Sequence, residues 1–241
     1  MPTPGSESGE AGTVASAGAN NLTLRVASAL VLAPLALGAA YIGGWVFVVF
    51  WAIAAVIVLR EWVTLTAAGG ALWIVAGVGY ALVMLLAPVL LRRDVDAGFL
   101  ALVFLFAVVW STDVCGYFGG RALGGPRLAP TISPKKTWSG ALSGAFGATL
   151  LSAAGARYIG GLNVAVIAML AVVLSTVAQL GDLMESKIKR HFGAKDTSHL
   201  IPGHGGLMDR LDGFWAAALT ACLIGLARGG IEGAARGLLV W

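Results

Sequence analysis

Charge is scarce in this sequence: only 12% of its 241 residues are Asp, Glu, Lys or Arg, about half the share of an ordinary soluble domain. With 58% hydrophobic residues and a mean hydropathy of +0.86, the chain lacks the polar surface to cover a water-soluble globule of its size. Its apolar faces are expected to meet lipid. Cysteine is almost absent, and Cys115 and Cys222 form no Cys-x-x-Cys or Cys/His pattern, which excludes a disulfide framework and points to packing roles. The three histidines, His191, His199 and His204, fall in no His-Glu-x-x-His arrangement, so zinc chemistry is not indicated. No GxxxxGK[ST] loop or dinucleotide-binding unit is present either. A formal charge of +4 does not imply nucleic acid, because the Lys and Arg residues lie mainly in short loops between apolar segments, as a positive-inside bias would place them.

What the sequence does have is long apolar runs. Seven stretches are long enough to cross a hydrocarbon core of about 30 Å: 22–41, 43–59, 71–91, 98–116, 140–158, 164–183 and 213–228. The predicted fold is all-α, a polytopic helical membrane protein of about seven spans, within a range of six to nine. Residues 1–21 are small and polar and read as a disordered tail. Residues 22–241 are expected to form a single transmembrane domain, with the candidate site in 113–212. An inside N-terminus puts Arg25, Arg60, Arg121, Arg127, Lys135, Lys136, Lys187, Lys189, Arg190, Lys195 and Arg210 on the cytoplasmic side. Arg92, Arg93, Arg157, Arg228 and Arg236 fall on the other. Both long polar loops, 117–138 and 184–212, then share one face. The 34 glycines suit close approach between membrane helices.

Half of the 12 acidic residues are Asp113, Asp182, Glu185, Asp196, Asp209 and Asp212, all at or between the ends of the fourth, sixth and seventh spans. Carboxylates beside a membrane are costly and mark function by default. Asp182, Glu185, Ser186 and Lys189 fall on one face if the sixth helix continues into the loop, and Asp209 and Asp212 share a face at the start of the seventh. Two helix ends thus offer oxygen ligands to a hard cation, for which Mg²⁺ is the natural choice because it is commonly shared with substrate phosphates. Lys187, Lys189, Arg190, Lys195, Arg210, Lys135 and Lys136 surround these acids. Interleaved acids and bases suit a metal-bound polyphosphate; a purely structural ion-pair network is the competing account. The segment 201–206 breaks the helix before Asp209, and Gly205 and Gly206 let backbone N–H groups approach an anion. His204 is read as a phosphate or ribose contact. Ser133-Pro134-Lys135-Lys136-Thr137 sets two cations between two hydroxyls, a phosphate grip with Asp113 upstream.

The stretch 186–212, SKIKRHFGAKDTSHLIPGHGGLMDRLD, resembles the signature of the phosphatidate cytidylyltransferases, or CDP-diglyceride synthases, at each constrained position. Ser133 to Thr137, Asp113 with Tyr117 and Gly120-Arg121, and the residues leading to Asp182 are similar to further motifs of that family in the same order. The resemblance implies transfer of a cytidylyl group from CTP to phosphatidate, giving CDP-diacylglycerol and pyrophosphate in phospholipid biosynthesis. It implies Mg²⁺ and a second cation such as K⁺, a homodimer, and a multi-pass protein of the bacterial cytoplasmic (inner) membrane with its site facing the cytoplasm. Carried residue by residue, it makes Asp182, Asp209 and Asp212 metal ligands, and Asp182, Lys189, Asp209 and Asp212 the catalytic set. Ser133, Lys135, Lys136, Thr137, Ser186, Arg190, Lys195, Asp196, His204, Gly205, Gly206 and Arg210 are the phosphate and nucleotide contacts, with Asp113 and Arg121 as further candidates.

Two other functions fit the same composition. A CTP-dependent lipid-alcohol kinase would use a similar site but attack the γ-phosphorus. An ion or anion transporter would place the carboxylates at the midplane of broken helices, whereas these lie at helix ends.

Overall fold

The computed structural model describes residues 30–198, 200 and 205–241; the expected tail, the start of the first span, His199 and His204 lie outside them. Seven segments are helical where the apolar runs predict: α1 (Leu30–Ile42), α2 (Gly44–Leu65), α3 (Ala71–Arg93), α4 (Gly98–Leu123), α5 (Trp138–Ile159), α6 (Val164–His191) and α7 (Met208–Gly229), followed by a short α8 (Ala234–Leu239). Among the described residues, α2, α3, α4, α6 and α7 are long and apolar enough to cross a membrane. The chain is a multi-pass helical membrane protein. In α5 the frequent Gly, Ala and Ser lower the hydropathy without shortening the helix, which has 22 residues.

The helix ends have local causes. Thr137 holds an extended backbone, and its Oγ1 accepts the N–H of Gly140 at 3.1 Å, capping α5. Asn163 Oδ1 does the same for α6 through Val166 N–H at 3.3 Å. At the C-terminus of α4, Gly124 takes φ +61°, a left-handed turn that frees the chain to leave the helix.

The segment leaving α4 contains an element that hydropathy does not show. Strands β1 (Arg127–Ala129) and β2 (Ser133–Thr137) pair antiparallel, with Arg127 opposite Thr137 and Ala129 opposite Ser133. This ribbon leads directly into α5, so Lys136 stands one residue ahead of the α5 cap.

Helices run up and down, and small residues set the tightest contacts. On α5, a Cβ added to Gly140 would lie 2.9 Å from Gly116 O of α4, and one on Gly144 would lie 2.7 Å from Thr112 O. On α6, a Cβ at Gly181 would meet Asp212 O at 2.9 Å and Ala216 Cβ at 2.8 Å; on α7, one at Gly213 would lie 3.0 Å from Ala178 O. Backbone therefore packs on backbone at both seams. The core between them is aromatic: the rings of Trp51 and Phe214 stack at 5.1 Å, and Phe106 stacks on Phe214 at 5.2 Å.

The end of the bundle opposite the long loops is tied by charge. Arg93 pairs with Glu232 at 2.8 Å, and Arg92 Nε donates to Ala40 O at 2.6 Å. Buried Asp94 accepts the N–H and Nε–H of Arg236 at 3.1 and 3.0 Å and the N–H of Ala97 at 3.2 Å. Burial alone would raise the Asp94 carboxyl, but these donors outweigh it and hold it below the usual carboxylate value.

Candidate active site

The sixth helix continues past its apolar run to His191, as the spacing of its polar residues requires, and carries Asp182, Glu185, Ser186 and Lys189 to the loop end of the bundle. The seventh begins at Met208, so Asp209, Arg210 and Asp212 occupy its first turns. The Gly181 and Gly213 contact presses these two helix ends together. Two neighbouring clusters result.

The first is buried. Lys189 donates to Glu185 Oε1 at 3.1 Å and to Asp209 Oδ1 at 2.6 Å, and Tyr80 Oη donates to Glu185 Oε2 at 3.4 Å. The other oxygen of Asp209 accepts the N–H and Oγ1–H of Thr197, both at 2.9 Å, and the N–H of Gly206 at 2.8 Å. Both oxygens of Asp209 thus engage protein donors. Buried charges survive in low dielectric only when paired and hydrogen-bonded in this way. Gly205 turns the chain at φ +84°, and the N–H of Gly206 faces Asp209.

The second cluster is open. Asp182 forms an ion pair with Lys136 of β2 and accepts from Ser186 Oγ at 3.3 Å. Asp113 and Asp212 both lie in the electrostatic field of Asp182 and Lys136, and Arg210 acts on Asp113. One Asp212 oxygen accepts the N–H of Gly213 at 2.7 Å. Three helices, α4, α6 and α7, and the ribbon therefore bring Asp113, Lys136, Asp182, Ser186, Arg210 and Asp212 together. Among the described residues, no three His, Cys, Asp or Glu side chains close on a common metal position.

Of the remaining candidates, Lys135, Lys195 and Asp196 are exposed, as is Arg210. Arg190 Nη1 donates to Ala194 O at 2.9 Å, and Arg121 Nη1 to Tyr117 Oη at 3.2 Å. Ser133 opens strand β2, and Thr137 serves as the α5 cap.

Glu61 is absent from the sequence reading. The second apolar run ends at Leu59, but α2 continues to Leu65 and buries the Glu61 carboxylate, which accepts from Ser198 Oγ at 2.7 Å and from the N–H groups of Leu207 and Met208 at 3.0 and 2.8 Å. The sequence carries a signal: an acidic residue two positions beyond an uncharged span meets the criterion used for Asp113.

The sequence profile of the Cytidylyltransferase family matches residues 68–226. The chain is similar to a phosphatidate cytidylyltransferase of Brucella suis, with 51% identity over 174 residues, 71% of this chain and 62% of that protein. It is 35% identical to one of Rickettsia bellii over 200 residues, 80% of this chain and 86% of that one. A Haemophilus influenzae phosphatidate cytidylyltransferase matches at 41% over 130 residues, covering 52% and 45% of the two chains. The match thus spans about three fifths of the Brucella relative's length.

Proposed function

Since the chain belongs to the cytidylyltransferase family, we propose that it transfers the cytidylyl group of CTP to phosphatidate, giving CDP-diacylglycerol and pyrophosphate. The observation that carries the reading is the crossing of α6 and α7, where Asp182 and Asp212 lie in one field with Lys136 reaching in from the ribbon. The two substrates are both anions, so the protein must hold them together against repulsion. The phosphate monoester has a second pKa of about 6 and is already nucleophilic near neutral pH. An oxygen of that phosphate forms a bond to the α-phosphorus of CTP as the bond from that phosphorus to the bridging oxygen breaks, and pyrophosphate leaves with the electron pair. No strong general base is needed; alignment and charge compensation are. Lys136 and the exposed Arg190, Lys195 and Arg210 supply the compensation.

Asp182 and Asp212 have the hard oxygen donors that Mg²⁺ takes, and Mg²⁺ needs only one or two protein carboxylates when substrate phosphates and water complete its shell. Bound there, Mg²⁺ would neutralise charge on the leaving pyrophosphate. In this reading Asp209 contributes by fixing the loop and Lys189 rather than by holding the metal directly. K⁺ as second cation and a homodimer are part of the proposal on the resemblance alone. The site end carries most of the Lys and Arg, which supports a cytoplasmic orientation, the side on which CTP is made available.

Labelled CTP tests the reading in purified protein with phosphatidate and Mg²⁺. Label from the α position is expected in the lipid, together with released pyrophosphate. Entry of γ label would identify a kinase instead, and ion flux in vesicles without CTP turnover would identify a transporter.

A further inference from the structure

Two carboxylates close the loop between α6 and α7 at its base. One is Asp209, which joins Thr197 to Gly206. The other is Glu61, brought from α2, outside the region matched by the family profile. Its Oε1 accepts from Ser198 Oγ and Leu207 N–H, and its Oε2 from Met208 N–H and, at 3.4 Å, Thr197 Oγ1. The same two sides of the loop, 197–198 and 206–208, are therefore held twice. Helix α7 has no side-chain cap of its own, since Leu207 occupies the cap position. The exposed N–H groups of a helix start need acceptors, and a negative charge there also meets the positive helix pole. Glu61 supplies both from a different helix. The fit is close: a Cβ on Gly206 would lie 2.8 Å from Glu61 Cδ.

We infer that Glu61 is a positioning residue of this site, whose carboxylate fixes the start of α7 and thereby the places of Arg210 and Asp212, about one turn further on. The inference rests on the function proposed above for its kinetic consequence, but not for its structural one. Glu61→Gln keeps the size of the side chain while turning an amide toward backbone N–H groups that need an acceptor. A residue that only supports the fold would lower the amount of folded enzyme; a positioning residue changes how the folded enzyme handles nucleotide and metal.

The test compares wild-type, Glu61→Gln, Ser198→Ala and Thr66→Val, all full-length in detergent. Thr66 is a buried hydroxyl at the same end of α2 that donates only to Trp62 O, at 2.9 Å. In Glu61→Gln, kcat/KM for CTP is expected to fall about tenfold or more, with a higher Mg²⁺ requirement and an unchanged KM for phosphatidate. Amide hydrogen exchange at 206–208 should quicken while exchange in α4 and α5 stays as in wild-type. Ser198→Ala should show the same pattern more weakly, which keeps the inference testable if Glu61→Gln does not fold. Unchanged exchange at 206–208 overturns the inference. So does quicker exchange with unaltered CTP kinetics, or an equal loss in Thr66→Val. If wild-type protein consumes no CTP, the proposed function fails, while exchange at 206–208 still decides whether Glu61 holds the loop.

Discussion

Lys189 and Lys136 are both lysines beside aspartates, yet their surroundings assign them different work. Lys189 has a side chain only 9% exposed between Glu185 and Asp209, so Lys189→Met leaves two buried carboxylates without a counter-charge. A loss on the order of 3–5 kcal/mol is expected for breaking such a pair, read as a lower unfolding temperature in detergent. Asp182 and Lys136 are partly exposed, so removing their pair costs little stability, about 1 kcal/mol or less. Asp182→Asn should instead lower Mg²⁺-dependent turnover by about 100-fold at nearly unchanged unfolding temperature, and enzyme that keeps its rate would remove Asp182 from the site. The sequence could not separate the two lysines. A cation on the polar face of α6 has the same spacing whether that face meets water or the start of α7, and the choice is made by a partner twenty residues away. Glu61 escaped for a related reason, because hydropathy ends a span at the first charge while the helix continues beyond it.

At the scale of elements, the α6 and α7 seam sets the separation of Asp182 and Asp212. Gly181→Ala would place a Cβ 2.8 Å from Ala216 Cβ and 2.9 Å from Asp212 O, closer than carbon contacts allow, and must move the helices apart. Activity is expected to drop more than tenfold with helix content by circular dichroism retained. Gly79→Ala on α3, where nothing lies within 4 Å, should leave both unchanged. The seven helices were legible because each follows an apolar run, although among the described residues only α2, α3, α4, α6 and α7 have the length and hydropathy of a span. The ribbon was not: β1 and β2 are short, include Pro134 and two lysines, and form only by pairing with each other. The motif 133–137 displays its charges in the sequence but not the strand that presents Lys136. The continuation of α6 was legible from the spacing of Asp182, Ser186 and Lys189, since that face makes sense only as helix.

Taken whole, the molecule separates chemistry from anchorage. Acids and bases of the site gather at one end, and Asp94, Arg236, Arg93 and Glu232 tie the other. Single cysteines in place of Lys135 and Arg157 should therefore be labelled from opposite sides of a membrane, with Lys135 reached from the cytoplasm; labelling of both from one side would refute this topology. Because its partners hold the Asp94 carboxyl below the usual value, its contribution is complete above the ordinary Asp range of about 4 and is lost as pH falls through its folded value. Acid should loosen α8 first, seen as faster amide exchange at 234–239, and Asp94→Asn should abolish that dependence on pH.

The up-and-down course of the helices bears on the field at the cleft. The C-terminal ends of α4 and α6 and the N-terminal ends of α5 and α7 meet there, so negative and positive helix poles alternate around it and largely offset one another. The backbone confers little polarity of its own. Attraction for the proposed anionic substrates thus falls to a handful of side chains on the ribbon, the loop and the helix ends beside it, and exchanging those few for acids is expected to make the same bundle repel them.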